Sequence, residues 1–162
     1  MTKQETLAWL DTQGVEYKLT EHQAVYNMEE CAELALPYPE ADAKNLFVRD
    51  DKQRGYYLIT VQGDKRVDLK AFRRAHGTRP LRFASAEELL QYLQLTPGSV
   101  TPLGLLNDRT HRVQLFLDKA FLLPPGRIGV HPNDNTATVW LRTEDLLRLL
   151  REQGADVTLT EL

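Results

Sequence analysis

The sequence predicts an α+β fold, a mostly antiparallel, curled sheet with helices packed around it. Three observations lead there. Two alternating apolar segments, "AKNLFVRD" and "GYYLITV", are joined by the polar "DDKQR", which reads as a hairpin with a loop. Several short amphipathic segments carry their own capping residues and are scattered between strands rather than grouped. Regular βαβ alternation is absent, which argues against a doubly wound parallel sheet.

The elements follow in order. Residues 2–13 read as a helix, with Thr2 as cap, Leu7 and Leu10 on one face and Gly14 as the stop. "VEYKLTEH" alternates as a short strand. Asn27 can cap a helix over "MEECAELAL", with Glu30 completing a capping box and Pro37 ending it. Residues 44–49 and 55–61 are the two hairpin strands. Asp68 caps the basic helix "LKAFRRAH", which Gly77 closes. Ser85 and Glu88 form a second capping box, opening "AEELLQYLQL". "HRVQLFLD" and "TATVWLR" supply two more strands, Thr143 starts a final helix over "EDLLRLLREQG", and "ADVTLTEL" ends as a strand or tail. Neither an internal repeat nor a low-complexity tract interrupts this order.

The 162 residues are expected to form one domain, 1–162, with a helical N-terminal extension over about residues 1–14. At 42% hydrophobic residues the chain can bury a core without covalent staples. The single cysteine, Cys31, has no internal partner, so a reducing cytoplasm is the expected compartment. No apolar run reaches the ~18 residues of a membrane span, so no membrane association is expected. The net charge of −3 argues against a general nucleic-acid binder. Its distribution says more. Lys65, Arg66, Lys70, Arg73, Arg74, Arg79 and Arg82 face one acid, Asp68, so this segment is +6 and the remainder −9. A local basic patch on an acidic chain suits a compact anionic target such as one end of an RNA. By charge alone a solvated helix face with no partner is the more common reading.

Familiar catalytic signatures are missing. There is no GxGxxG, no GxxxxGK[ST] and no GxSxG. His22, His76, His111 and His131 are isolated along the chain, with no HExxH and no Cys/His cluster, so neither a metal nor a cofactor is expected. Cys31 lies on an apolar helix face, as a small core residue does. Three segments remain. Lys44 with Asn45 can present an ammonium and an amide from the head of a strand, although an edge lysine also snorkels there without a ligand. In "LTPGSVTPLGLLND", Gly98 and Pro102 bracket Ser99, Val100 and Thr101, and a glycine lets backbone groups approach a ligand closely, or merely turns the chain. In "GVHPNDNTATVWL", His131 precedes a loop of Asn133, Asp134 and Asn135, which also reads as a polar turn.

Taken together and in this order, the segments resemble the YbaK/ProX-like aminoacyl-tRNA editing family, freestanding deacylases related to the editing insertion domain of prolyl-tRNA synthetases. The resemblance runs from "HQAVYNMEE" through "AKNLFVRD", "GDKRVDLKAF", "LRFASAEELLQYLQLTPGSVTPLGLLND" and "VQLFLDKAFL" to "GVHPNDNTATVWL". It implies a mixed sheet curled into a partial barrel, with helices outside. The chain is most similar to the branch that removes alanine mischarged onto proline tRNA, through Asn45 after Lys44, the wording "GSVTPLGLLND" and the helix ahead of the common domain. Asn27 departs from the threonine that many relatives carry there.

The resemblance implies a chemistry and its residues. The substrate is an ester between an amino acid and a ribose hydroxyl of the terminal adenosine. Water attacks it with help from the neighbouring ribose hydroxyl. Lys44, Gly98, Thr101 and His131 are the expected catalytic residues. Lys44 serves as an ammonium toward the terminal nucleotide or the developing oxyanion, and the 98–101 backbone holds ester and water. Tyr26, Asn27, Asn45, Ser99, Val100, Pro102 and Asn135 are expected to bind the substrate. The basic residues from Lys65 to Arg82 are expected to contact the tRNA acceptor end, with prolyl-tRNA synthetase an open second partner. Two alternatives stay open: a deacylase for cysteinyl- or seryl-tRNA, and a noncatalytic module that binds the tRNA end.

Overall fold

The computed structural model describes residues 1–24 and 41–162. The helix expected after Asn27, with Cys31 and Pro37, lies outside the described residues. Helix α1, Lys3–Thr12, begins at a complete capping box in which Thr2 and Glu5 bond each other's backbone N–H groups. Its Leu10 is wholly buried, which for a leucine is worth roughly 1.5–3 kcal/mol and fastens the helix to the core. Strand β1 is Tyr17–Glu21.

The hairpin is present. Strands β2, Ala43–Asp50, and β3, Tyr56–Gln62, pair antiparallel, with Lys44 opposite Val61 and Asn45 opposite Thr60. Asp50 organises the loop between them, its carboxylate accepting from the N–H groups of Lys52, Arg54 and Gly55 at 2.9–3.0 Å. Helix α2, Leu69–His76, is capped by Asp68 and closed by Gly77 at φ +65°, as expected. The short strand β4, Leu81–Phe83, follows. Helix α3, Ala86–Leu93, starts at the Ser85/Glu88 capping box. Glu88 also takes the Arg49 guanidinium at 3.1 Å and the Tyr56 hydroxyl at 2.6 Å, joining α3 to the hairpin. A 3₁₀ segment, Pro102–Asn107, leads to β5, Val113–Asp118. After a second 3₁₀ turn come β6, Arg127–Val130, and β7, Ala137–Arg142. Helix α4, Thr143–Glu152, and strand β8, Asp156–Thr160, complete the order.

The strands form a five-stranded sheet, β4-β2-β3-β5-β8, and a three-stranded sheet, β1-β7-β6. Four pairings are antiparallel, while β5 runs parallel to both β3 and β8. The sheets meet at one parallel bridge, Asp42 to Gly129, and among the described residues the ladders do not close into a barrel. The larger core joins Leu58, Leu115 and Leu117 of the big sheet to Ile128, Val139 and Leu141 of the small one, with Leu146, Leu149 and Leu150 of α4. On the other face of the big sheet, Phe72 of α2 packs on Val48, Ile59, Val61 and Phe116.

Candidate functional site

Lys44 stands near the start of β2 and is half-buried. Side chains alternate along a strand, so Lys44 shares its face with Leu46 and Val48, the face that α2 covers. The lysine and the basic helix therefore lie on one side of the sheet. The Lys44 ammonium donates to the carbonyl of Lys65 at 3.4 Å. Asn45 alternates to the opposite face, where its Oδ1 accepts from the Thr60 hydroxyl at 2.7 Å. Lys44 and Asn45 therefore do not converge on one point, because adjacent strand residues cannot.

The 95–107 segment is more ordered than a plain turn. Gly98 has φ +89°, a conformation that L side chains rarely adopt, so glycine is required there by the backbone itself. Ser99 is buried and Val100 half-buried. Thr101 is wholly buried and caps the 3₁₀ segment that Pro102 begins, its Oγ1 accepting from the Leu103 N–H at 3.3 Å. The same hydroxyl donates to the backbone carbonyl of His131 at 2.7 Å. Two motifs some 30 residues apart are thus tied together by one side chain.

His131 follows directly on β6. Its Nδ1 lies 3.0 Å from the carbonyl of Ala137. A carbonyl only accepts, so Nδ1 carries the proton of the neutral ring and Nε2 is left with its lone pair for a ligand. Burial holds the His131 pKa below the usual histidine value, against the raising effect of the Ala137 bond, and His22 lowers it further. His22 meets His131 edge to face, with ring centroids 6.3 Å apart. His22 is held in turn by the Gln23 carbonyl at Nδ1, 2.7 Å, and by the Thr138 hydroxyl at Nε2, 2.9 Å. Asn135 is buried, and Asp134 accepts from both the N–H and the hydroxyl of Thr136. Tyr26 and Asn27 lie outside the described residues.

The bridge between the sheets aligns these groups. Asp42 pairs with Gly129 in parallel, so Lys44 and His131 each lie two residues beyond the same bridge on chains running the same way. Gly129 is needed for a steric reason, since a Cβ there would stand 2.3 Å from the Trp140 ring. Asp42 itself is half-buried. Desolvation pushes its carboxyl up to about 6, against the lowering pull of the Ala43 N–H and of His22. Among the described residues, no hydrogen bond joins Lys44 to Gly98, Thr101 or His131; what relates them is the backbone.

The basic segment divides. Arg66, Lys70, Arg73, Arg74 and Arg82 are exposed and make no ion pair among the described residues. Arg79 is paired with Asp51 at 2.8 Å. Lys65 is turned inward, with Nζ 2.7 Å from Asp118, whose side chain is 2% exposed, and 3.0 Å from the carbonyl of Leu162. As placed, Lys65 is a half-buried lysine paired with a buried carboxylate, whereas the sequence groups it with a surface patch. Asp42 and His22 were missed in the sequence. His22 heads "HQAVYNMEE" but gives no sign that its ring meets one 109 positions later. Asp42 shows no local pattern either. Among the described residues no group of three or more His, Cys, Asp or Glu is placed to hold a metal ion.

Comparison with known proteins gives the family and the fold. The aminoacyl-tRNA editing domain family matches residues 22–149. The chain is 41% identical over 160 residues to the prolyl-tRNA editing protein ProX of Acetoanaerobium sticklandii, covering 99% of this chain and 97% of that one. It is 34% identical to the prolyl-tRNA synthetase associated domain-containing protein 1 of Xenopus laevis, over 95% of this chain and 93% of that one. A crystal structure described as a candidate trans-editing enzyme for prolyl-tRNA synthetase superposes with a TM-score of 0.73 at 25% identity, covering 100% of this chain and 98% of the other. The chain belongs to the aminoacyl-tRNA editing domain family.

Proposed function

We propose that the chain is a trans-editing enzyme that removes alanine from mischarged proline tRNA. As a member of the editing family it is an aminoacyl-tRNA deacylase, an ester hydrolase. The choice of alanine is supported by Asn45 after Lys44 and by the segment "GSVTPLGLLND", and the placing of the chemistry by the parallel Asp42–Gly129 bridge, from which Lys44 and His131 each lie two residues on.

Hydrolysis of an aminoacyl ester needs positioning and charge stabilisation more than a protein nucleophile, because the ester is already activated. The Lys44 ammonium supplies the positive charge toward the terminal phosphate or the forming oxyanion. His131, neutral and with Nε2 open, can accept a hydrogen bond from a ribose hydroxyl or from the attacking water. Gly98 offers its backbone to the ester, while the Ser99 N–H is already bonded to the Thr96 carbonyl at 3.0 Å and steadies the turn. Thr101 and Pro102 are buried supports that hold this loop against His131. Val100, Asn45 and Asn135 are the pocket candidates among the described residues, with Tyr26 and Asn27 alongside them on this reading. The five exposed basic residues would meet the acceptor end of the tRNA, and prolyl-tRNA synthetase remains a candidate partner. Such a role belongs in the cytoplasm, with translation, and uses residues 1–162 as one editing unit. Among the described residues no helix is long and apolar enough to cross a membrane.

The test is initial deacylation rate with alanyl, cysteinyl, seryl and prolyl esters on one proline tRNA, using wild type and Lys44→Ala. Alanine should be released fastest and proline spared, since a pocket sized for a methyl group excludes a rigid ring by steric clash. Lys44→Ala should lose roughly 10- to 150-fold in rate while staying folded, the cost of one charge-assisted contact. Faster release of cysteine overturns the choice of amino acid. Release of proline as fast as alanine overturns the editing role. Binding of tRNA without release of any amino acid means a noncatalytic module.

A further inference from the structure

The turn that leaves β3 is held by more contacts than its length requires. Its Gly63 N–H bonds the carbonyl of Asp42 at 2.8 Å, and its Lys65 N–H bonds the carbonyl of Gln62 at 3.0 Å. Asp118, at the end of β5, receives three further groups. Its Oδ2 takes the Gln62 N–H at 3.2 Å and the Lys65 ammonium at 2.7 Å, and its Oδ1 takes the Ala120 N–H at 3.0 Å. Lys65 spends another of its three N–H donors on the carbonyl of Leu162 at 3.0 Å. The carbonyl of this same Lys65 receives the Lys44 ammonium.

We propose that Lys65 is a positioning residue for Lys44, its ammonium locked on the buried Asp118 carboxylate so that its own carbonyl fixes where the Lys44 ammonium stands. The inference rests on the reading of Lys44 as the charge that meets the substrate. The alternative use of Lys65, as a phosphate contact, conflicts with the geometry. Turning its ammonium outward would leave the Asp118 carboxylate, with a side chain 2% exposed, without a counter-charge. Lys44 is set by the strand at its Cα, but a long flexible side chain needs a second point to define its end. The Lys65 carbonyl is that point, and it can hold Lys44 only as firmly as the turn is held.

The experiment uses the full chain with Lys65→Met, Lys65→Arg and Asp118→Asn, each checked for folding by circular dichroism. Two readouts are taken. One is kcat and KM for deacylation of mischarged tRNA. The other is the rate of reductive methylation at Lys44, followed by mass spectrometry, which needs no activity. Lys65→Met should lower kcat by about 10- to 100-fold, the range that misplacement of a reacting group by an ångström costs, with KM little changed. Asp118→Asn should act in the same direction, Lys65→Arg should recover much of the rate, and Lys44→Ala with Lys65→Met should be no slower than Lys44→Ala alone. Lys44 should be methylated faster in Lys65→Met and in Asp118→Asn than in wild type. Unchanged kcat with raised KM and a shallower salt dependence would make Lys65 a phosphate contact and overturn the proposal, as would unaltered methylation of Lys44. If Lys44→Ala is itself fully active while methylation responds as expected, the proposed role of Lys44 in catalysis fails and the positioning link stands.

Discussion

Asp42 is a half-buried carboxylate two residues from Lys44, and its ionisation leaves a mark on stability. Its pKa is raised from 3.8 to about 6 in the folded chain, so the folded state binds the proton more tightly than the unfolded state. Stability from this group is therefore complete below about pH 4 and is lost as pH rises to about 6. A shift of about two units corresponds to about 3 kcal/mol. His131 acts in the opposite direction, since its pKa is lowered and its stability cost is felt below the usual histidine range. His22, which faces both groups, lowers the pKa of each, so comparing two proteins at each pH isolates the aspartate. Asp42→Asn should be more stable than wild type above pH 6, by up to about 3 kcal/mol, and no more stable at pH 4. Urea denaturation of both proteins at the two pH values measures it, and a gap that does not change with pH would remove Asp42 as the cause. This group had no signal in the sequence, because burial at the junction of two sheets is a property of the fold. Lys44 did have one, because a charged residue at the head of an apolar strand is visible in the strand itself.

Elements with local stop and start chemistry were legible. Thr2 as the cap of α1, Asp68 and Gly77 at the two ends of α2, and Ser85 with Glu88 at the start of α3 are each present in the structure, and Glu5 adds to the first cap a second half that was not read in the sequence. The short strands β4 and β6 were not legible. Three and four residues give no measurable alternation, and Gly129 in β6 reads as a breaker until Trp140 lies across it. The final helix begins where expected, but Thr143 does not cap it: the N-cap is Arg142, and the Thr143 hydroxyl donates to the carbonyl of Phe121 at 2.7 Å. Helix α1 shows how one element supports another. Thr6 is wholly buried and accepts from the Asn133 amide at 2.8 Å, and the Lys3 ammonium reaches the Thr136 hydroxyl at 3.3 Å. The loop after His131 is therefore held from outside by the N-terminal helix. Thr6→Val keeps the shape but removes both the acceptor for the part-buried Asn133 amide and the donor to the Thr2 carbonyl, at a cost of about 1–3 kcal/mol. The expected result is a lower melting temperature together with slower deacylation at unchanged KM. A fall in melting temperature with full activity would confine α1 to stability.

At the scale of the whole molecule the question is how a chain of net charge −3 attracts an RNA. The structure concentrates the answer on one side of the big sheet. Lys70, Arg73 and Arg74 are exposed on α2, Arg66 precedes it and Lys44 emerges on the face that α2 covers, whereas Arg82 of β4 pairs with Arg49 and points to the opposite face. An exposed patch of this size meets a few phosphates, so binding should be salt-dependent but shallow, with each phosphate neutralised adding about 0.7 to 0.9 to the logarithmic slope. The sequence showed the excess charge but not its division, because the partners of Lys65 and Arg79 lie 53 and 28 residues away. The residues to change are therefore the free ones. Arg73→Gln with Arg74→Gln is preferable to reversal to glutamate, since acids in the last turn of α2 would also oppose the helix dipole. The double variant should bind tRNA more weakly and reduce the salt slope by about one to two units, while hydrolysing a short aminoacyl-adenosine mimic as fast as wild type. The two measurements separate docking from chemistry. Equal loss on tRNA and on the mimic would put these arginines at the ester and displace Lys44 from the centre of the site. No loss on either would leave the exposed face of α2 as solvated charge, and the tRNA would have to approach from the small sheet instead.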